Sequence, residues 1–148
     1  GLMALAEALF GLPVEPLRDI LAAALAEPGA LVEAARHFAP AGLPHGLGRL
    51  LLAFAAERDA IAASLGRGPL PGIAALVTEG GGLPDPPRPM AEAALGLVFL
   101  TAMARASQTP APLLAGALGL LEAAAGESFG AHPVLAALEP ASLAALLG

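Results

Sequence analysis

The chain has 148 residues, of which 57% are hydrophobic and 14% charged, and its net charge is −6. This composition excludes a disordered chain, and the absence of Cys excludes a disulfide scaffold. The seven Lys and Arg residues are all Arg, and the acidic net charge argues against nucleic-acid binding. The length suits a single domain with a sizeable core.

The residue usage and the apolar stretches also indicate where the protein works. Ala, Gly, Pro and Arg, which have GC-rich codons, are abundant, whereas Lys, Asn, Tyr, Trp and Cys are absent, so we expect a bacterial source. No apolar stretch reaches the roughly 20 residues that a membrane-spanning helix needs. The first residues carry no basic stretch ahead of an apolar run, so we predict no signal peptide and expect a cytoplasmic protein.

Proline and glycine divide the first half into short segments with helical periodicity. Helices are predicted over residues 2–10, 16–26, 28–38, 45–65 and 71–78. Residues 79–89 combine three Gly with a Pro-rich run, which is typical of a loop. Because each half of the chain is small for a core of its own, we expect this loop to lie within one domain that comprises residues 1–148.

The second half is predicted to contain two longer helices and two short ones. The longer helices cover residues 90–107 and 109–125, the latter with Thr109 as its N-cap, and the short ones cover 133–138 and 141–147. No segment shows the alternation of apolar and polar residues that is typical of strands. The sequence therefore predicts an all-α bundle of six to eight short helices without a sheet.

The helix over residues 90–107 is the candidate for an interface. Residues 93–104 include no charged side chain, and a helix that is apolar on every side lies at the centre of a bundle or between subunits. The interface candidates on it are Leu97, Val98, Phe99, Leu100 and Met103. Ala111, Ala115, Gly119 and Ala123 recur every four residues and would allow a second helix to approach closely, although an Ala-rich chain also produces such rows by chance.

Arg58 is the sixth interface candidate, because it occupies a position where the stripe of its helix should be apolar. One interpretation is an Arg at the edge of the stripe whose charged end reaches solvent. The other is a charge that selects a partner helix by pairing with an acid across the contact. Glu57 and Asp59 lie on other faces of the helix, so neither is expected to be that acid.

Two sequence patterns resemble catalytic or metal-binding motifs. Gly126-Glu127-Ser128-Phe129-Gly130, with His132 nearby, matches the nucleophile elbow of serine hydrolases, but the residues before it read as a helix, so a helix C-cap is the preferred interpretation. Glu33 and His37 are four residues apart on one helix and could hold a metal ion, yet a solvated Glu–His pair is more common. We expect neither a metal ion nor a cofactor.

These observations favour a non-enzymatic protein–protein interaction domain, such as a self-associating scaffold or an assembly factor that forms a homodimer. The apolar fraction is larger than a monomer of this size readily hides, and polar groups suited to catalysis are few. The alternative is a carrier that binds an apolar small molecule in a cavity between helices, since the chain has few large aromatic residues to fill its interior. A serine hydrolase that uses Ser128 is a third, remote hypothesis.

Overall fold

A computed structural model describes residues 21–38, 44–73 and 89–129 of the chain. Within these ranges the backbone forms four α-helices and no strand. The helices are α1 (Gly29–Phe38), α2 (Pro44–Ser64), α3 (Met90–Ala106) and α4 (Pro112–Ala125). Residues 21–26, immediately before α1, are also helical. The prediction of an all-helical chain is thus confirmed for the described residues.

The predicted helix ends agree with the observed ones to within three residues, because proline and glycine mark them. Pro112 occupies the first turn of α4, and Gly126 ends this helix in the left-handed conformation with φ 72°. At the end of α2, Gly66 takes a similar conformation with φ 67°. Residues 71–73 are not helical, in contrast to the helix predicted over 71–78.

The number of helices stays a prediction beyond these four. The predicted helices over residues 2–10, 133–138 and 141–147 lie outside the described residues, as does nearly all of the predicted loop over 79–89. The described helices therefore confirm the fold class but not a bundle of six to eight helices.

Helix α3 lies at the centre of the described helices and contacts α1, α2 and α4. Further contacts join α1 to α2 and α2 to α4. The core between the helices consists mainly of Leu and Ala, with Phe54, Ile61 and Met103 as larger members. Since α3 is apolar on nearly every side, the central position buries nine of its residues, six of them in this core.

Candidate functional site

The predicted interface residues on α3 are covered largely by the chain's own helices. Leu97 has no exposed surface, and Val98, Leu100 and Met103 are each at most 3% exposed. Phe99 is partly buried and packs against the same core. Most of the apolar surface on which the expected interface rested is therefore already removed from water within one folded chain.

Helix α1 approaches α3 very closely at Gly96. A Cβ atom on Gly96 would overlap the Cβ of Ala30 and would lie 3.1 Å from the Cα of Ala30. The sequence analysis expected a close approach at the row of small residues in α4, but Ala115, Gly119 and Ala123 of that row are exposed. A single Gly inside an otherwise apolar helix is the sequence signal that could have identified Gly96.

Arg58 is completely buried, and its partner is the adjacent residue Asp59. The Nε and Nη2 atoms of Arg58 donate hydrogen bonds to Oδ1 of Asp59 at 3.0 and 2.8 Å, and Nη2 also donates to the carbonyl oxygen of Pro71 at 3.2 Å. Nη1 is buried without a hydrogen-bond partner. The first interpretation is thus corrected, because the charged end of Arg58 does not reach solvent, and Asp59, which was not expected to be its partner, pairs with it. Selection of a partner helix by Arg58 stays a prediction.

The reason for this correction lies in the length of the arginine side chain. Helical periodicity fixes the direction of each Cα–Cβ bond, but the guanidinium of Arg58 is far enough from its Cβ to turn back toward the neighbouring carboxylate. The guanidinium thereby joins the last turns of α2 to the segment at Pro71. Its observed role is to hold this segment against the helix.

Glu57 caps the N-terminus of α4 from the neighbouring helix α2. Its two carboxylate oxygens accept hydrogen bonds from the backbone N–H groups of Leu113 and Leu114, both at 2.9 Å. These N–H groups lack partners within their own helix, and a carboxylate also interacts favourably with the positive end of the helix dipole. The sequence analysis missed this contact, because no local pattern links residues more than 50 positions apart.

Thr109 does not cap α4, in contrast to the prediction. The helix begins at Pro112, and Ala111 occupies the N-cap position without a side-chain hydrogen bond. The hydroxyl of Thr109 instead donates to Oγ of Ser64 at 2.9 Å and lies 2.8 Å from Oγ of Ser107. These hydroxyls connect the end of α2 to the turn between α3 and α4.

The sequence that resembles a nucleophile elbow is the C-terminal cap of α4. The backbone N–H of Gly126 donates to the carbonyl oxygen of Glu122 at 2.9 Å, and Ser128 is exposed two residues further on. A nucleophile elbow follows a strand, whereas Ser128 follows a helix. The preferred interpretation as a helix C-cap is confirmed, and His132 lies outside the described residues.

Glu33 and His37 do not form the solvated pair that their spacing indicated. Glu33 is 2% exposed and forms an ion pair with Arg36 across 3.5 Å, while His37 is exposed. Among the described residues, no group of three or more His, Asp or Glu side chains is arranged to hold a metal ion. His45 lies at the start of α2, and its side chain is outside the described part of the chain.

Two grooves extend along opposite sides of α4. The α2–α4 groove has a volume of about 220 Å³ and entirely apolar walls, which include Phe38, Leu50, Leu113 and Leu120. The α3–α4 groove has a volume of about 860 Å³, and its walls include Val98, Leu118, Arg105, Gln108 and Glu122. An α-helix rotates by about 100° per residue, which places these two sets of α4 residues about half a turn apart. These grooves are the candidate binding surfaces of the described residues.

Comparison with known proteins gives no match to a family model, to a curated protein or to a solved structure. None of the helices in the described ranges combines the length and the apolar character that crossing a membrane requires. The functional argument therefore rests on the two grooves themselves.

Proposed function

We propose that the chain is a helical interaction domain without a catalytic role, and that it associates with a second copy of itself through α4. The observation that carries this proposal is the α2–α4 groove, where the described residues of the walls are all apolar. Leu113 and Leu120 border this groove and are 46% and 61% exposed. The proposal keeps the expected homodimer but assigns it to α4, because the apolar residues of α3 are mostly covered.

The shape of this face suits a contact between two identical helices. Leu113 and Leu120 are two turns apart on one side of α4, and Gly116 lies between them. A Cβ atom on Gly116 would meet no other atom within 4 Å, so the space above this residue is open. Around a two-fold axis, a leucine of each copy can fill the space at Gly116 of the other, which makes the face complementary to itself.

The energetics favour a weak dimer. Complete burial of a leucine contributes about 1.5–3 kcal/mol, so burying the exposed parts of four leucines in a symmetric dimer contributes about 4–6 kcal/mol. Association costs at least about 4 kcal/mol, and a specific interface needs about 1,000 Å², so Phe38 and Leu50 at the groove must be covered as well. Even with these side chains covered, the net free energy of association is small, so we expect a dissociation constant in the millimolar range.

Sedimentation equilibrium tests this proposal over concentrations from about 0.1 to about 1 mM. Interference optics are required, because the chain has no Trp or Tyr. The wild-type chain should shift from monomer to dimer with concentration. Leu120→Glu should remain a folded monomer throughout, since a charge on this face would be desolvated in the dimer.

Leu95→Glu is the matched control. Leu95 is 48% exposed on α3, outside the α2–α4 groove, so the same substitution at similar exposure should leave the dimer intact. A wild-type chain that stays monomeric at the highest concentration would disprove the proposal. A dimer that is lost with Leu95→Glu but kept with Leu120→Glu would place the interface on a different surface.

A further inference from the structure

The α3–α4 groove has the dimensions of a small-molecule site. Its volume of about 860 Å³ falls within the range of about 300–1,000 Å³ that ligand pockets occupy. Ala115 and Gly119 are exposed members of its walls, and a Cβ atom on Gly119 would meet no other atom within 4 Å. Leu118, which is half-buried, and Ala115 supply apolar surface to its walls.

The apolar middle of this groove offers no free polar group. The hydroxyl of Thr101, which lines it, donates to the carbonyl oxygens of Leu97 and Val98 at 2.8 and 3.1 Å, within its own helix. The remaining residues of the middle are Ala, Leu, Val and Gly. An apolar chain could therefore lie there without leaving a buried polar group unpaired.

Polar side chains stand at the two ends of the groove. Arg105 and Gln108 lie at the turn that joins α3 to α4, and neither side chain forms a hydrogen bond or an ion pair with another described residue. Glu122 lies ten residues into α4 from Pro112, which corresponds to about 15 Å along the helix. Among the described residues, the groove thus has a cation and an amide at one end, and the carboxylate of Glu122 with the hydroxyl of Ser128 at the other.

Gln108 has a left-handed backbone conformation because it lies in the C-terminal cap of α3. Its φ is 53°, its N–H donates to the carbonyl oxygen of Arg105 at 3.1 Å, and the N–H of Thr109 donates to that of Ala104 at 2.9 Å. The chain uses glycine at the other two left-handed positions of the described residues, Gly66 and Gly126. Glycine would fit this cap at lower cost, but glutamine places a side-chain amide at the α3–α4 groove.

We propose that the α3–α4 groove binds a monocarboxylic acid with an apolar chain. The carboxylate accepts hydrogen bonds from the guanidinium of Arg105 and from the side-chain amide of Gln108, while the chain lies over Leu118 and Ala115. Arginine binds carboxylates through two parallel hydrogen bonds, which favours an acid over an alcohol. Glu122 repels a second anionic group at the far end, so a monocarboxylate is preferred over a dicarboxylate.

This site is independent of the proposed dimer, because the two grooves lie on opposite sides of α4. Calorimetric titration below the micelle concentration should show that decanoate binds to the wild-type chain with one molecule per chain. Decanol and decanedioate, which have the same chain length, should each bind at least about tenfold more weakly. Absence of decanoate binding, or equal affinity for decanoate and decanol, would overturn the proposal.

Three variants and one control test which residues of the groove bind decanoate. Arg105→Gln should weaken decanoate binding about tenfold or more, because a charge-assisted hydrogen-bond pair is lost. Gly119→Leu should also weaken decanoate binding, because the leucine side chain would block the groove without changing any charge. Gln108→Gly should weaken binding by a few fold and yet stabilise the fold, since glycine relieves the left-handed backbone.

Arg49→Gln is the matched control for Arg105→Gln, because Arg49 is an exposed arginine of α2 away from this groove. Its decanoate affinity should equal that of the wild-type chain. Equal losses of affinity in the two Arg variants would mean that decanoate responds to net charge alone, and would overturn the assignment of Arg105. Unchanged binding in Gly119→Leu would overturn the location of the chain.

Discussion

Gly96→Ala is the substitution that tests the central packing contact most directly. The new methyl group would overlap the Cβ of Ala30 in α1, and it would lie 3.1 Å from the Cα of that residue. Neither methyl group has a side-chain torsion that could move it away. The overlap can be relieved only if the backbones of α1 and α3 separate, and this would loosen the core on both sides of α3.

The net effect is the difference between two opposing terms. Replacing glycine by alanine inside a helix contributes about 0.5–1 kcal/mol to stability. Overpacking in a well-packed interior costs about 1–3 kcal/mol, and the backbone contact at Gly96 places this case at the upper end. We therefore expect Gly96→Ala to lower the free energy of unfolding by about 2 kcal/mol, a substantial part of the stability of a domain of this size.

Urea unfolding followed by circular dichroism at the helical band measures this change, since the chain lacks Trp and Tyr fluorescence. Gly116→Ala and Gly119→Ala in α4 are matched controls, because a Cβ at either position would meet no atom within 4 Å. Both controls should raise the stability by about 0.5–1 kcal/mol. Replacement of glycine by alanine should thus lower the free energy of unfolding in α3 and raise it in α4.

A double-mutant cycle with Ala30→Gly separates the steric clash from other effects. Ala30→Gly removes the methyl group that Gly96→Ala would strike, so the double variant should recover about 1 kcal/mol or more relative to additivity. Recovery should be incomplete, because the new Cβ would still lie 3.1 Å from the Cα at position 30. Stabilisation by Gly96→Ala alone, or strict additivity in the cycle, would refute the close crossing of α1 and α3.

Three further predictions concern the central helix, the α4 cap and the buried arginine. Leu97→Glu should abolish the helical circular dichroism signal, because it places a charge where no surface is exposed, and a folded Leu97→Glu chain would contradict the central position of α3. Glu57→Ala should destabilise the chain by about 1–2 kcal/mol in urea unfolding through loss of the α4 cap, and Glu57→Gln, which keeps one acceptor oxygen, should cost less. Asp59→Ala should lower the melting temperature more than Arg58→Met, because it leaves a buried guanidinium without its ion-pair partner, and the reverse order would contradict the pairing.

The helices were predictable where local rules determine them. Pro112 and Gly126 fix the two ends of α4 through their own backbone preferences, and α3 is recognisable from twelve residues without a charge. The sequence did not determine whether α3 lies in the core of the bundle or at a subunit interface, because both environments need the same apolar residues. Only the placement of α1 and α4 against it decides how much of its surface remains exposed.

The contacts that border the grooves were less predictable, because they depend on distant residues or on side-chain length. Glu57 lies on α2, and nothing in the local sequence of α4 indicates that its carboxylate supplies the cap. Arg58 required the conformation of a long side chain, which periodicity does not determine. The α3–α4 groove is lined by residues of both helices, so its volume is a property of the packed pair.

The cap on α4 also has a consequence for how this chain folds. Its hydrogen bonds join residues 56 and 57 positions apart, so the first turn of α4 is completed by a contact of high sequence separation. A helix of 14 residues is marginal by itself in water, and the chain must close a long loop before the carboxylate arrives. We infer that α4 acquires its full helical structure only after α2 has docked, which makes it a late-forming element and a sensitive reporter of native assembly in hydrogen-exchange experiments.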